Sequence, residues 1–143
     1  MRTIKALMVA PMQTPKSISL ETSIASFNRA VSIGADEELH VAAKRLGKCS
    51  YILYAPDAFF AGLEANRKVR GEIISGFFYV IAVDKKNHPV SLTDEQMERY
   101  MIRFYQPEHY ENSEVLNNWS ERLLKELDDI TMEMTDFEQP SEN

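Results

Sequence analysis

The stretch from Gly71 to Tyr105 constrains the fold most, because it contains a strand, a turn and a helix start in close succession. Its residues Ile73–Val83 form a continuous apolar run rich in β-branched and aromatic side chains, which predicts a strand buried on both faces. Gly76 interrupts this run. Because glycine weakens the interior of a strand, Gly76 predicts a bulge or a close approach of two backbone segments.

The helix start lies at Ser91–Gln96, where the sequence reads SLTDEQ. Thr93 predicts an N-cap whose hydroxyl accepts from the amide of Gln96, while the Gln96 side chain reaches back to the amide of Thr93. The helix that follows has apolar residues at spacings of three and four, which predicts one stripe packed on the sheet. This stripe consists of Met97, Tyr100, Met101 and Phe104.

The residues before this stretch predict further strands and one helix. Apolar or alternating segments predict strands at Thr3–Met12, Ser17–Leu20 and Ser50–Ala55, and the first two are expected to pair as a hairpin. Apolar residues at helical spacing predict a helix over Glu21–Ile33. Ala58–Arg70 predicts a connection that leads into the long apolar run.

The segment Ala35–Gly47 has the local pattern of a helix. Asp36 suits an N-cap, Gly47 suits the residue after a helix, and the apolar residues between them have helical spacing. Local pattern alone therefore predicts a helix here.

Together these elements predict an α+β domain at residues 1–110. Its sheet is expected to be mainly antiparallel, with about four or five strands and with helices packed on one face. A long amphipathic helix is predicted to follow within residues 111–135, from Ser113 to about Met134. Residues 136–143 are predicted to form a disordered acidic tail.

The apolar stripe of this C-terminal helix allows three interpretations. It packs on the sheet of its own domain, on a second copy of the chain, or on a partner protein. The sequence leaves these alternatives open, and with them the oligomeric state. The residues proposed for a partner interface are Trp119, Leu123, Asp128, Asp129 and Glu133.

The net charge of −6 is concentrated at the C-terminal end of the chain. Residues 113–143 hold nine acidic and two basic side chains, whereas the other residues hold 13 and 14. Because phosphate contacts dominate the affinity of proteins for nucleic acid, the acidic end disfavours direct nucleic-acid binding. The sequence contains no apolar run of about 20 residues and no signal-like start, so we expect a cytoplasmic protein that does not bind membranes.

One basic cluster, close to the start of the long apolar run, predicts an anion-binding site. Arginine binds phosphates and carboxylates with two parallel hydrogen bonds, and loops at strand ends often carry binding groups. The ligand would be a phosphorylated small molecule or a nucleotide signal. The alternative is a solvated loop in which Asn66 bonds nearby backbone. The candidate residues are Asn66, Arg67, Lys68, Arg70, Lys44 and Arg45.

The chain lacks the residue groupings that most enzymes use. A single cysteine, Cys49, rules out a multi-cysteine zinc site within one chain, and the histidines His40, His88 and His109 are far apart in sequence. No phosphate-binding loop, dinucleotide motif or G-x-S-x-G motif is present. We therefore predict a protein that is not an enzyme and that uses no metal or cofactor.

Several of these motifs together resemble a family of short proteins of unknown function, encoded by phages and mobile elements of Gram-positive bacteria. The resemblance covers roughly residues 3–105 and rests chiefly on Asn66, Gly76, Phe77 and SLTDEQ, with IKALMV, the helix around Ile24–Val31 and IISGFFYVIAVD in support. It implies a strand through Leu39–Ala43 that turns near Gly47 and pairs with the next strand. This competes with the local helix pattern, and we favour the strand. The acidic helix and tail are additions to the family pattern.

The resemblance implies a biological setting but no activity. Accessory genes of phages and mobile elements often counteract host defence by binding, an association that sets an expectation only. We expect a non-enzymatic accessory protein that binds and inhibits a host defence protein through its C-terminal helix and acidic tail. One alternative is that the chain sequesters a phosphorylated or nucleotide signal through the basic cluster. Another is a phage assembly or interaction protein.

Overall fold

The computed structural model describes residues 2–138, with the side chains of residues 2–130, and the chain divides after Tyr110 into two compact units. The first unit holds strands and helices in the order β1 (Thr3–Val9), β2 (Lys16–Glu21), α1 (Ile24–Val31), β3 (Ala42–Gly47), β4 (Ser50–Tyr54), β5 (Ala65–Val69), β6 (Glu72–Ser75), β7 (Phe78–Val83), β8 (Pro89–Val90) and α2 (Asp94–Arg103). The second unit contains the helix α3 (Asn112–Glu138).

The main sheet is antiparallel, with the strand order β2-β1-β7-β4-β3, and β8 pairs with the end of β7. Strands β5 and β6 form a separate two-stranded ribbon. The predicted hairpins β1–β2 and β3–β4 are both present. The α+β class with an antiparallel sheet and a long C-terminal helix is thereby confirmed.

The central strand β7 is buried on both faces, as its apolar sequence predicts. Phe78 and Val80 lie in one apolar cluster, whereas Tyr79 and Ile81 lie in another. The long apolar run does not form one strand, however, because the chain breaks at Gly76 with a φ of +74°. The first part of the run becomes β6 in the ribbon and the second part becomes β7 in the main sheet.

The two short helices lie on opposite faces of the main sheet, so the prediction that the helices pack on one face is wrong. Phe27 and Val31 of α1 pack in the cluster that contains Tyr79, whereas Tyr100 of α2 packs in the cluster that contains Phe78. The cause is the composition of β7. A strand that is apolar on both sides needs a covering layer on each face.

The start of α2 shows the predicted capping box. Thr93 Oγ1 accepts from the amide of Gln96 at 3.1 Å, and the Thr93 amide donates to Gln96 Oε1 at 2.9 Å. Phe104, just past the last turn of α2, packs edge-to-face on Phe78 of β7, with the ring centroids 5.3 Å apart. Local capping and tertiary packing therefore fix the same helix.

Within the segment Ala35–Gly47, strand β3 spans Ala42–Gly47, so the helix alternative is wrong, and the strand begins later than the expected Leu39–Ala43. The residues just before β3 are held by α1 and its C-cap, since Asn28 Oδ1 accepts from the amide of Val41 at 2.8 Å and Ser32 Oγ accepts from the amide of Leu39 at 2.7 Å. Pairing with β4 fixes the rest. Helix propensity is a weak preference that such tertiary contacts override.

Several predicted boundaries change in the structure. The first helix spans Ile24–Val31 instead of Glu21–Ile33, and the connection Ala58–Arg70 contains strand β5. Helix α3 includes residues 136–138 of the predicted tail, while residues 139–143 lie outside the described residues. Over residues 2–138, none of the helices is long and apolar enough to cross a bilayer.

Candidate functional site

The two central residues of the predicted anion site, Asn66 and Arg67, are buried inside the first unit. Both side chains are fully inaccessible to solvent. They are neighbours in β5, where side chains normally alternate between faces, but the register of the β5–β6 ladder shifts between Ala65 and Arg67. The bulge turns both side chains inward.

The Arg67 guanidinium is held by neutral oxygen atoms. Nε and Nη2 both donate to the carbonyl of Phe104, at 3.2 and 2.8 Å. Nη2 also donates to the carbonyl of Gln13 at 2.6 Å, and Nη1 donates to the carbonyl of Ala10 at 3.3 Å and to Asn66 Oδ1 at 2.8 Å. The Arg67 guanidinium therefore links β5 to the end of α2 and to the turn after β1.

Burial lowers the pKa of the Arg67 guanidinium, while the charge of the Glu108 carboxylate acts in the opposite direction. Glu108 Oε1 accepts from the backbone amide of Lys68 at 3.0 Å and from the hydroxyl of Tyr110 at 2.5 Å. These contacts keep one carboxylate near the buried cation. Arg67 thus acts as a structural tie, with its donors used inside the protein.

The other basic candidates are dispersed over several surfaces. Lys44 Nζ forms an ion pair with Glu72 of β6 at 2.9 Å, and Arg70 donates to the carbonyl of Leu46 at 3.1 Å, so both join the ribbon to β3. Arg45 follows Lys44 in β3, so the two side chains point to opposite faces of the strand. The Arg45 guanidinium lies 5.0 Å from the ring centroid of Tyr51. The Lys68 side chain is exposed. The structure does not bring the six candidate residues together.

Arg70 itself lies in a tight turn between β5 and β6. Its φ of +49° and the Gly71 φ of +82° are both positive, which is the geometry of a two-residue type I′ hairpin. The residues that the sequence places in a binding loop therefore belong to a hairpin ribbon.

Helix α3 carries large apolar side chains on one face. They follow one another at three, four, four and three residues, which keeps them aligned at about 3.6 residues per turn. Each is between 37% and 51% exposed. These residues are Leu116, Trp119, Leu123, Leu127 and Ile130, and we call them the α3 stripe.

The acidic interface candidates do not belong to this face. Asp128 and Asp129 are exposed and follow Leu127 directly, so the helical turn places them toward the polar side of α3. The Glu133 side chain lies outside the described part of the chain. The candidate interface therefore divides into an apolar part, with Trp119 and Leu123, and an acidic part.

A further site that the sequence does not reveal lies beside α1. An open apolar cavity of about 420 Å³ is bordered by α1, β3, β4 and β7, with Phe27, Leu53 and Ile81 among its lining residues. We call it the α1 groove. From the sequence, its lining residues are predicted to be ordinary core residues. Phe27, Leu53 and Ile81 border an open cavity although they are almost fully buried.

Other reactive side chains remain isolated. Cys49 is an exposed free thiol. Within residues 2–130, histidine, cysteine, aspartate and glutamate side chains form no group of three or more suited to hold a metal ion. Tyr79 is buried, and its hydroxyl donates to the carbonyl of Ala30 at 2.8 Å. Burial raises the pKa of this phenol to about 12.

The chain was compared with known proteins at the level of sequence family, curated sequence and solved fold. No family model, curated protein or solved structure matches it.

Proposed function

We propose that this chain is a non-enzymatic protein that acts by binding another protein, with the α3 stripe as its contact surface. The observation that carries this proposal is the exposure of five large apolar side chains along one face of a single helix. Contiguous exposed apolar surface of this kind typically marks a protein–protein contact. Amphipathic helices bind partners by laying such a face into an apolar groove.

Trp119 and Leu123 are the central contacts of the proposed surface. Tryptophan is enriched among the residues that contribute most to binding energy, especially near the centre of an interface. Two stripe residues lie on the C-terminal side of this pair, Leu127 and Ile130, and Leu116 lies on the N-terminal side. We infer that truncating the central pair weakens binding more than truncating either end.

The charge of α3 indicates the kind of partner. The exposed residues around the stripe include Glu121, Glu126, Asp128 and Asp129, and the segment 113–143 has nine acidic and two basic side chains. An acidic helix is attracted to a surface with a basic rim. Nucleic-acid-binding proteins have such surfaces, because they neutralise phosphates.

The biological role that we propose follows from this chemistry together with the resemblance to phage and mobile-element proteins. The chain would act in the cytoplasm of a bacterial host and inhibit a defence protein by covering its basic surface. Sequestration of a nucleotide signal has less support, because its candidate residues are dispersed. A role in phage assembly would use the same α3 stripe with a different partner.

The test compares two glutamine variants on the same helix. Leu123→Gln removes an apolar contact from the stripe, whereas Asn117→Gln changes an exposed polar residue and is the matched control. We expect Leu123→Gln to weaken inhibition of host defence, measured as phage plating efficiency on cells that express the full chain. Asn117→Gln should keep wild-type inhibition.

Thermal unfolding shows whether both variants remain folded. Thermal unfolding of both variants should resemble that of wild type, because both positions are exposed. If Leu123→Gln inhibits as well as wild type while remaining folded, the α3 stripe is not the contact surface.

A further inference from the structure

Helix α1 is too narrow to cover its face of the sheet. A helix is about 10 Å across, and neighbouring strands are about 4.8 Å apart, so one helix covers the width of about two strands. The main sheet has five strands side by side in the order β2-β1-β7-β4-β3. Leu39, Val41 and Leu63 also pack against this face, and the α1 groove remains among α1, β3, β4 and β7.

The floor of the α1 groove is apolar and consists of core side chains. Phe27, Leu53 and Ile81 line it, and each is no more than 6% exposed. Ile24 lies at the rim of the groove, and its apolar side chain is 67% exposed. A cavity of about 420 Å³ lies within the range of about 300–1,000 Å³ that is usual for small-molecule sites.

A second cavity of about 340 Å³ adjoins the groove, and the two share the lining residues Ile24, Phe27 and Pro89. Arg2 and His88 also line this second cavity. Arg2 Nη2 donates to the carbonyl of Pro89 at 2.6 Å, which holds the guanidinium beside the apolar floor.

Among the described lining residues of the two cavities, Arg2 is the one permanently charged side chain. Across the described side chains, neither cavity has an aspartate or glutamate in its lining. The Asp84 carboxylate is close enough to attract Arg2, so a bound carboxylate would share the guanidinium with it. Asp84 Oδ1 accepts from the amides of Lys86 and His88, both at 2.9 Å, and Asp84 Oδ2 lies 3.7 Å from His88 Nδ1. The Arg45 guanidinium lies over the ring of Tyr51, another lining residue of the groove, 5.0 Å from its centroid.

We propose that the α1 groove binds a small amphipathic carboxylate, with its apolar tail on Phe27, Leu53 and Ile81 and its carboxylate at Arg2. Apolar walls with one cation at the end select a ligand that is apolar along its length and negative at one tip. A planar guanidinium pairs well with a planar carboxylate. A neutral analogue keeps the apolar contact and loses the ion pair.

This site is independent of the proposed role of α3, because every residue that forms it lies in the first unit. The Leu123→Gln variant of the stripe should therefore bind the carboxylate as wild type does. Failure of either proposal leaves the other standing.

The probe is decanoate, used below its micelle-forming concentration with the full chain. Binding is followed by NMR of isoleucine, leucine and valine methyl groups, with decanol as the neutral analogue. We expect shifts at Leu53, Ile81 and Val83, and decanoate should bind about two- to fivefold more tightly than decanol, the size of one exposed ion pair.

Three variants locate the ligand. Arg2→Gln should weaken decanoate binding about two- to fivefold and leave decanol unchanged. Ile24→Gln should weaken both ligands about fivefold, because it removes apolar contact from the rim. Ile102→Gln is the matched control, since Ile102 is a similarly exposed isoleucine on α2, 69% against 67% for Ile24.

Shifts confined to the groove, with a preference for decanoate that Arg2→Gln removes, support the proposal. Equal binding of decanoate and decanol to wild type overturns it, as does equal weakening by Ile24→Gln and Ile102→Gln. Absence of methyl shifts at the groove also overturns it.

Discussion

Asn66 Nδ2 donates to the carbonyl of Gly76 across a distance of 2.8 Å, and so ties strand β5 to the break in the long apolar run. The same nitrogen donates to the carbonyl of Val9 at 2.8 Å, while Oδ1 accepts from Arg67. One buried amide therefore joins the ribbon, the main sheet and the buried guanidinium.

Replacing Asn66 with alanine should strongly destabilise the protein. The carbonyls of Val9 and Gly76 lose their donor, and a buried polar group without a partner costs about 1–3 kcal/mol. We expect the free energy of unfolding to fall by about 2–4 kcal/mol in urea titrations. Asn117→Ala, an exposed control, should change it by no more than about 0.5 kcal/mol. A loss below about 1 kcal/mol for Asn66→Ala would show that the network is dispensable.

Arg67→Lys tests whether the guanidinium shape is needed as well as the charge. A lysine ammonium is a compact point charge and cannot reproduce the fork that reaches the carbonyls of Phe104, Ala10 and Gln13. We expect a loss of about 2–4 kcal/mol in the free energy of unfolding, measured by urea titration. The neighbouring exposed Lys68→Ala should stay within about 0.5 kcal/mol of wild type. Near-wild-type stability of Arg67→Lys would contradict the structural role assigned to the fork.

Gly47→Ala should destabilise the β3–β4 hairpin for a steric reason. A Cβ atom at Gly47 would lie 2.8 Å from both Ser50 Oγ and the Tyr100 hydroxyl. These two oxygens form a buried hydrogen bond of 2.5 Å that the new methyl group would separate. We expect a loss of about 1–3 kcal/mol in thermal or urea unfolding. Tyr100→Phe removes the bond and part of the clash, so Gly47→Ala should cost less in that background.

The raised pKa of Tyr79 predicts a loss of stability at high pH. The folded-state pKa is about 12, against 10.0 for an exposed tyrosine, so the folded protein retains the proton more strongly than the unfolded chain. The contribution to stability is fully present below pH 10 and is lost as the pH rises through 12. Relative to Tyr79→Phe, wild type should lose about 2 kcal/mol between pH 9 and pH 12. A difference that does not change with pH would show that the phenol is not desolvated.

Features that rest on a few neighbouring residues are predictable from this sequence. The capping box at Thr93 and Gln96 needs only four residues, and the structure shows both of its hydrogen bonds. An irregularity at Gly76 is also predictable, because a glycine inside a strand favours a bulge or a close approach of two backbone segments. The close approach of Leu63, 13 residues away in sequence, is not predictable in this way, although it would place Leu63 Cδ1 2.9 Å from a Cβ at Gly76.

Features that depend on distant partners are not predictable in this way. The sequence predicts Arg67 as a surface cation. Its burial requires both the bulge at Asn66 and carbonyls just after β1 and α2, which are remote in sequence. The strand at Ala42–Gly47 requires β4 as its partner. The α1 groove is also not predictable from the sequence, because it depends on how one short helix packs over part of the sheet.

The strand order places β2 and β3 at the two margins of the main sheet, where backbone hydrogen-bonding groups can recruit a strand from another molecule. Both margins carry features that oppose such recruitment. Lys16 and Ser17 begin β2, and β3 carries Lys44 and Arg45 before an irregularity in its register. Charge and distortion at an edge disfavour edge-to-edge aggregation. The two margins of the sheet should consequently not seed fibrils by pairing with the same strands of another copy.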